Sequence, residues 1–391
     1  MKERKKTFGR VERRGWRRMA VAWVAMVMVA VAGCRGKAPS AEEFTREVYA
    51  PVYAKGFDIA GAEGMESTLA RVRNPWQGAE GVTQEYFVAR NGERPPQGFQ
   101  GVTIPGGARR IVCMSSSYVA MLDAFGEVER VVGVSGIDFI SNAYVAAHRD
   151  TIGDVGAEMN YETLVGLRPD LVLLYGIGDA QSAVTDKLRE LGIPYMYIGE
   201  YVEESPLGRA EWMVLLGEVT DRREESETAF RAIAERYERL KAETAAPEGR
   251  KKVMVNTPWQ DTWYMPSTRS VIARLIEDAG GDYIYKENET NGSLPVGMET
   301  AYRLLREADV WIETGQCASL ADLLAVNPRF AEAKAVKTGQ VYNNNRRTTP
   351  GGGNDYWESA VVRPDVVLRD LIRILHPEDG EGELYYYRQL K

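Results

Sequence analysis

A chain of 391 residues with 44% hydrophobic content is long enough for two or three ordinary domains and apolar enough to give each a core, which excludes a disordered chain. Its 49 Lys and Arg against 56 Asp and Glu leave a net charge of −7, a balance that argues against a nucleic-acid partner. With two His, three Cys and no CxxC or HExxH spacing, it has neither the ligands for a three-histidine zinc site nor the framework of a disulfide scaffold.

The first 33 residues differ from the rest. Residues 1–18 are basic, and Met19 to Ala32 form an apolar run of 14 residues, short of the roughly 20 that a membrane-spanning helix needs. A charged segment, a short apolar core and small residues after it predict an export signal over 1–33 that is cleaved. The tetrapeptide VAGC, Val31 to Cys34, resembles the lipobox of bacterial lipoproteins. That resemblance implies lipidation of Cys34 and a periplasmic, membrane-anchored lipoprotein. Residues 34–47, which begin CRGKAPSAEE, then read as a polar tether. Removing 1–33 takes away nine basic and two acidic residues, leaving 40 against 54 and a net charge of −14.

Residues 48–100 alternate apolar positions with Gly, Asn and Pro breaks, which predicts a small β extension built of hairpins. From 101 to 220 a strand, helix, strand rhythm implies a parallel sheet: a strand ending near Met114, the loop Ser115 to Ser117, a helix to about Phe125, and strands Val131 to Val134 and Leu171 to Tyr175. Residues 221–245 place Ala229, Ile233, Tyr237 and Leu240 at helical spacing between charges, predicting one linking helix capped by Asp221 and roughly 35 Å long. The alternation resumes over 246–391 with strand Lys252 to Asn256, a loop over 257–268, helix Ser270 to Ala279, and strands Tyr283 to Tyr285, Val310 to Glu313 and Gln340 to Tyr342. A final helix spans Pro364 to Leu375.

One motif occurs twice. MNYETLVGLRPDLVLLYG, from Met159, and VGMETAYRLLREADVWIETG, from Val296, align on Glu162 and Glu299, 137 positions apart, each followed by an apolar helical turn, an Asp (Asp170, Asp309) and a strand-like run. The spacing predicts two similar lobes rather than a short solenoid repeat. The expected fold is α/β: two parallel-sheet lobes joined by a single long helix, with a small N-terminal β extension.

This ordered set of motifs, together with LRELGIPYMYIG and the linking helix, resembles the helical-backbone substrate-binding proteins of ABC importers, which handle iron-siderophore complexes, heme and cobalamin. The resemblance covers about Arg109 to Pro377, and the β extension and PGGGNDYWES are similar to features of Bacteroidetes lipoprotein members. It implies that Glu162 and Glu299, one on each lobe, dock onto arginines of the membrane permease. It also implies a monomer whose partner is the permease and ATPase complex, closing by a small motion.

Open α/β sheets place clefts at the carboxyl ends of their strands. The loops expected there are Ser115 to Tyr118, Ile137 to Phe139, Tyr175 to Asp179 and Tyr201, then Trp259 to Tyr264, Thr314 to Cys317 and Asn343 to Asn354. Within them Ser116, Tyr118, Tyr175, Trp259, Trp263 and Tyr264 are candidate ligand contacts, the aromatics as flat faces for a chelate. Tyr118 or Tyr175 would be the phenolate if the ligand were heme. Arg346 and Arg347 are candidates to clamp carboxylate or catecholate oxygens, with Asp355 and Trp357 bracing their loop. Cys113 and Cys317 are expected as free thiols, and neither His148 nor His376 is assigned a catalytic role. The expected function is capture of a metal chelate, foremost a ferric siderophore, with cobalamin and heme as alternatives and a chelatase or reductase as the rival class. The chelate is the transported ligand rather than a cofactor, and no catalytic or bare-metal site is assigned.

Overall fold

The computed structural model describes residues 40–176, 182–244, 249–290, 292–377 and 382–391. The export signal, Cys34 and the first part of the tether lie outside these residues, as do Ile177 to Asp179 of one expected cleft loop.

Two five-stranded sheets form the lobes. In the first the spatial order is Tyr195–Tyr197, Leu171–Leu174, Ile111–Cys113, Val131–Val134 and Gly153–Asp154, every pair parallel. In the second, Asp282–Tyr283, Lys252–Val255, Val310–Ile312 and Val341–Asn343 run parallel, and Arg388–Gln389 adds an antiparallel edge. The central strands are fully buried apolar runs, as sheets covered on both faces require.

The duplicated motif has a shared structural basis. In both copies the Asp lies just before a strand, and its carboxylate accepts backbone N–H bonds where the neighbouring strand begins. Asp170 receives Arg109 at 2.8 Å and Arg110 at 3.0 Å, and Asp309 receives Lys252 at 2.8 Å.

The linking helix spans Arg223–Glu243, 21 residues and so about 31 Å long. Its buried stripe is Phe230, Ile233, Ala234 and Tyr237, packed on helices Met213–Val219 and Pro364–Leu375. Asp221 is not its cap, contrary to the expectation. It adopts a left-handed turn at φ 57°, and its carboxylate pairs with Arg90 at 2.7 Å, so Arg222 takes the cap position.

The N-terminal sheet reaches further than expected, over Arg46–Tyr49, Phe57–Gly61, Thr68–Arg73, Thr83–Ala89 and Val102–Pro105, the last pair parallel. Three buried glutamates fasten it to the first lobe. Glu211 accepts from Tyr49 Oη and from the amides of Val52, Tyr53 and Ala54, all within 2.8 Å. Glu203 accepts from the amides of Lys55 and Gly56 and from Trp212 Nε1. Glu218 takes Thr68 Oγ1, Arg90 and Arg223. Backbone amides bonded to buried carboxylates are an anchor that a loose appendage would lack.

Candidate ligand-binding site

A chamber of about 1000 Å³ opens between the lobes. Its walls begin where parallel strands end: Ser115 and Ser117 follow Ile111–Cys113, Glu200 follows Tyr195–Tyr197, Asn256 follows Lys252–Val255, and Glu313 follows Val310–Ile312. Asn256 and Glu313 stand at φ 67° and 57°, a left-handed conformation that side chains with a Cβ rarely adopt and that concentrates at functional sites.

The floor carries ionisable groups. Glu200 is buried; one carboxylate oxygen accepts from Ser117 Oγ at 2.8 Å, and the other has no partner. Burial pushes its carboxyl above the ordinary range, opposed by the nearby Arg209 guanidinium. Glu313, equally buried, accepts from Tyr387 Oη at 2.9 Å. Burial raises it as well, opposed by the hydrogen bond from the Tyr387 hydroxyl. Both groups are thereby biased toward their neutral, donor-capable form. Arg209, on the short helix Pro206–Glu211, lines the same chamber, and its Nε is buried without a hydrogen-bond partner. A guanidinium lining a chamber is equipped to hold an anionic oxygen.

At the mouth, Glu204 is bridged by Lys55 from the N-terminal segment at 3.3 Å and by Arg269 from the second lobe at 2.5 Å. Three separate parts of the chain thus meet at one carboxylate. Trp357, 62% exposed, also lines the chamber rather than merely bracing a loop.

Several expected contacts lie elsewhere. Tyr118 is fully buried, its hydroxyl donating to the Leu174 and Ile198 carbonyls at 3.3 and 3.2 Å, so it faces no ligand. Trp263 is also core: residues Thr262–Met265 form an antiparallel ribbon with Leu294–Gly297, and alternation turns Trp263 inward, its Nε1 on the Val255 carbonyl at 3.0 Å. The same alternation leaves Tyr264 on the outer face, and Trp259, 70% exposed, lies in the turn that leads into the ribbon; neither lines the chamber. Tyr175 packs partly against the core, and Ser116 opens the helix Ser116–Ala124 while its neighbours Ser115 and Ser117 reach the chamber.

Arg346 and Arg347 are already engaged. Arg346 pairs with Glu383 at 2.7 Å; Arg347 pairs with Asp355 at 2.7 Å and lies over the Tyr385 ring at 4.4 Å. Their loop joins the lobes instead: Thr349 Oγ1 donates to the Asp138 carbonyl at 2.8 Å, and at Gly353 a Cβ would lie 1.9 Å from the Phe139 carbonyl oxygen.

Glu162 and Glu299 are both exposed in the first turn of their helices, Tyr161–Leu167 and Met298–Glu307. Cys113 and Cys317 are free and buried. His376 is buried with Nε2 3.0 Å from the Ala279 carbonyl oxygen, and His148 stacks on Tyr144. Among the described residues no group of three or more His, Cys, Asp or Glu stands together as a metal site, and no helix is long and apolar enough to cross a membrane.

Residues 111–347 match the family model described as periplasmic binding protein. An uncharacterized lipoprotein of Methanocaldococcus jannaschii is 28% identical over 329 residues, covering 78% of this chain and 76% of its own. Among solved structures, a periplasmic heme binding protein from Pseudomonas aeruginosa aligns with a TM-score of 0.55 at 17% identity, over 73% of this chain and 98% of that one. The periplasmic vitamin B12 binding protein of Vibrio cholerae aligns with a TM-score of 0.52 at 17% identity, over 71% and 100% respectively. At these identities the two structures establish a shared bilobed α/β fold.

Proposed function

The chain belongs to the periplasmic binding protein family, and from that premise we propose that it is the lipid-anchored receptor of an ABC importer, capturing a metal chelate between its lobes and delivering it to an inner-membrane permease. The observation that carries this reading is the chamber of about 1000 Å³ at the carboxyl ends of both sheets, at the upper end of the range for small-molecule sites. A ferric siderophore is the cargo favoured by the lining. The Arg209 guanidinium lining the chamber suits its anionic oxygens, while Trp357 offers an exposed apolar face. Heme and cobalamin are the alternative ligands.

Glu162 and Glu299 would dock the loaded receptor, each an exposed carboxylate rigidly fixed at a helix start. Closure would be small, because the linking helix and the lobe-to-lobe bonds of Thr349 and Glu358 limit relative motion.

The test is intrinsic tryptophan fluorescence, titrated in parallel with ferric siderophores, hemin and cyanocobalamin, with the ligand recovered afterwards. The expected result is saturable one-to-one quenching by a ferric siderophore that is recovered intact. Arg209→Gln should weaken it about 10- to 100-fold, the range of a charge-assisted hydrogen bond. A chelate returned without its metal would instead favour the chelatase or reductase reading.

A further inference from the structure

We infer that the N-terminal sheet is a third wall of the ligand chamber, through the loop of residues 74–82 and the segment around Lys55, so that recognition is shared by three bodies rather than two lobes. This rests on the receptor reading above. Arg73, Asn74, Trp76 and Gln77 all line the chamber, although the region matched by the family model begins only at residue 111.

The loop is built to stay in place. Asn74 closes it on itself, its amide donating to the Val82 carbonyl at 2.8 Å and its Oδ1 accepting from the Val82 amide at 3.0 Å. Pro75 and Trp76 then sit on the ends of two first-lobe strands. At Gly176, after Leu171–Leu174, a Cβ would lie 2.6 Å from Trp76 Cε3; at Gly199, after Tyr195–Tyr197, it would lie 3.0 Å from Pro75 Cα. Glycines at both strand ends leave room for the loop, and the Trp76 ring meets Tyr197 edge-on at 5.4 Å. Tyr201 completes the join: its hydroxyl donates to the Gly176 carbonyl at 2.5 Å and accepts from the Gln77 amide at 3.1 Å.

From that seat the loop reaches across the cleft. The Gln77 side chain lies over Gly292 of the second lobe, where a Cβ would fall 2.5 Å from Nε2. The loop therefore spans the chamber from one lobe to the other while anchored to only one of them. Its chamber face offers the side-chain amides of Asn74 and Gln77 and the Trp76 indole edge, beside an Arg73 guanidinium already paired with Asp58, a polar lining suited to the peripheral carbonyl or carboxylate oxygens of a bulky chelate.

The purified protein is titrated with four probes: a ferric trihydroxamate, a ferric tris-catecholate, hemin and cyanocobalamin. Gln77→Trp fills the chamber from an exposed loop position and should weaken the probe that the wild type binds at least tenfold, with an unchanged melting temperature. Trp76→Ala should weaken the same probe. Glu80→Trp, on the same loop but away from the chamber, should bind as the wild type does. Affinities within twofold of wild type for both Gln77→Trp and Trp76→Ala would overturn the third wall while leaving the receptor reading intact. An equal loss in Glu80→Trp would overturn it too, since the effect would then not come from the chamber face. If the wild type binds none of the four probes, the receptor reading itself fails and the inference falls with it.

Discussion

Glu358 offers a quantitative test of how the lobes are joined. It belongs to the second lobe, is 2% exposed, and its Oε2 accepts the amide of Ser141 from the first lobe at 2.7 Å. Burial pushes its carboxyl from 4.5 up to about 7; the charges of Asp355 and Asp123 add to the rise, and the Ser141 and Asn142 amides oppose it. The folded state therefore holds the proton more tightly than the unfolded chain between these two values. Stability from this group is present below about pH 4.5 and is lost as pH rises through 7. At about 1.4 kcal/mol per pH unit the loss approaches 3 kcal/mol by pH 8. Glu358→Gln keeps an oxygen for the Ser141 amide but cannot ionise. It should match the wild type near pH 4.5 and exceed it by about 3 kcal/mol at pH 8, roughly 4 °C in melting temperature for a chain of this size. The assay is urea and thermal unfolding of both proteins across that pH range. Glu200 and Glu313 are also raised by burial but are common to both proteins, so the difference between the curves isolates Glu358. Parallel curves would refute the reasoning, because they would mean the carboxyl titrates alike in folded and unfolded states.

Reversing both Glu162 and Glu299 to Lys should abolish uptake in cells that depend on the transported chelate while leaving the purified protein's affinity unchanged; a lost affinity would remove them from docking. Gly353→Ala places a methyl group against the Phe139 carbonyl, so it should cost about 1–3 kcal/mol in urea unfolding, and a neutral result would show that the loop joining the lobes yields freely. Glu211→Ala strips the acceptor from three backbone amides and the Tyr49 hydroxyl, and it should destabilise the N-terminal sheet by at least about 3 kcal/mol, read as earlier loss of protection in hydrogen exchange over residues 46–61.

The fold was legible because its signals are local. Buried strand runs such as LVLL and the helical stripe of Ile233 and Tyr237 depend only on near neighbours in the chain. The doubled Asp is of the same kind, since Asp170 and Asp309 serve strands whose order the repeat itself implies. The site was less legible because facing depends on pairing. Residues 257–268 read as a loop displaying aromatics, yet pairing of Thr262–Met265 with Leu294–Gly297, some thirty residues later, sends Trp263 into the core. Arg347 has a partner only eight residues on in Asp355, a signal that was present, whereas the Arg346 partner Glu383 lies too far along the chain to be paired by inspection.

The chamber residues that sequence reasoning missed share one property: each answers to a segment distant in sequence. Glu200 and Arg209 matter because the second lobe closes over them, and Trp76 matters because Gly176 and Gly199 make room for it. The glutamates at 203, 211 and 218 carry the same lesson. They fall in three different short elements, yet all three are buried and bonded to residues 49–56, 68 and 90. Three acidic side chains placed in a core stay there only if donors surround them, because an unpartnered buried carboxylate is expensive. The donors come from the N-terminal sheet, mostly as backbone amides that leave no trace in residue identity. That sheet is therefore a structural requirement of the first lobe as well as a wall of its chamber: stripping it away would expose apolar surface and also leave Glu203 and Glu211 without the amides that they serve.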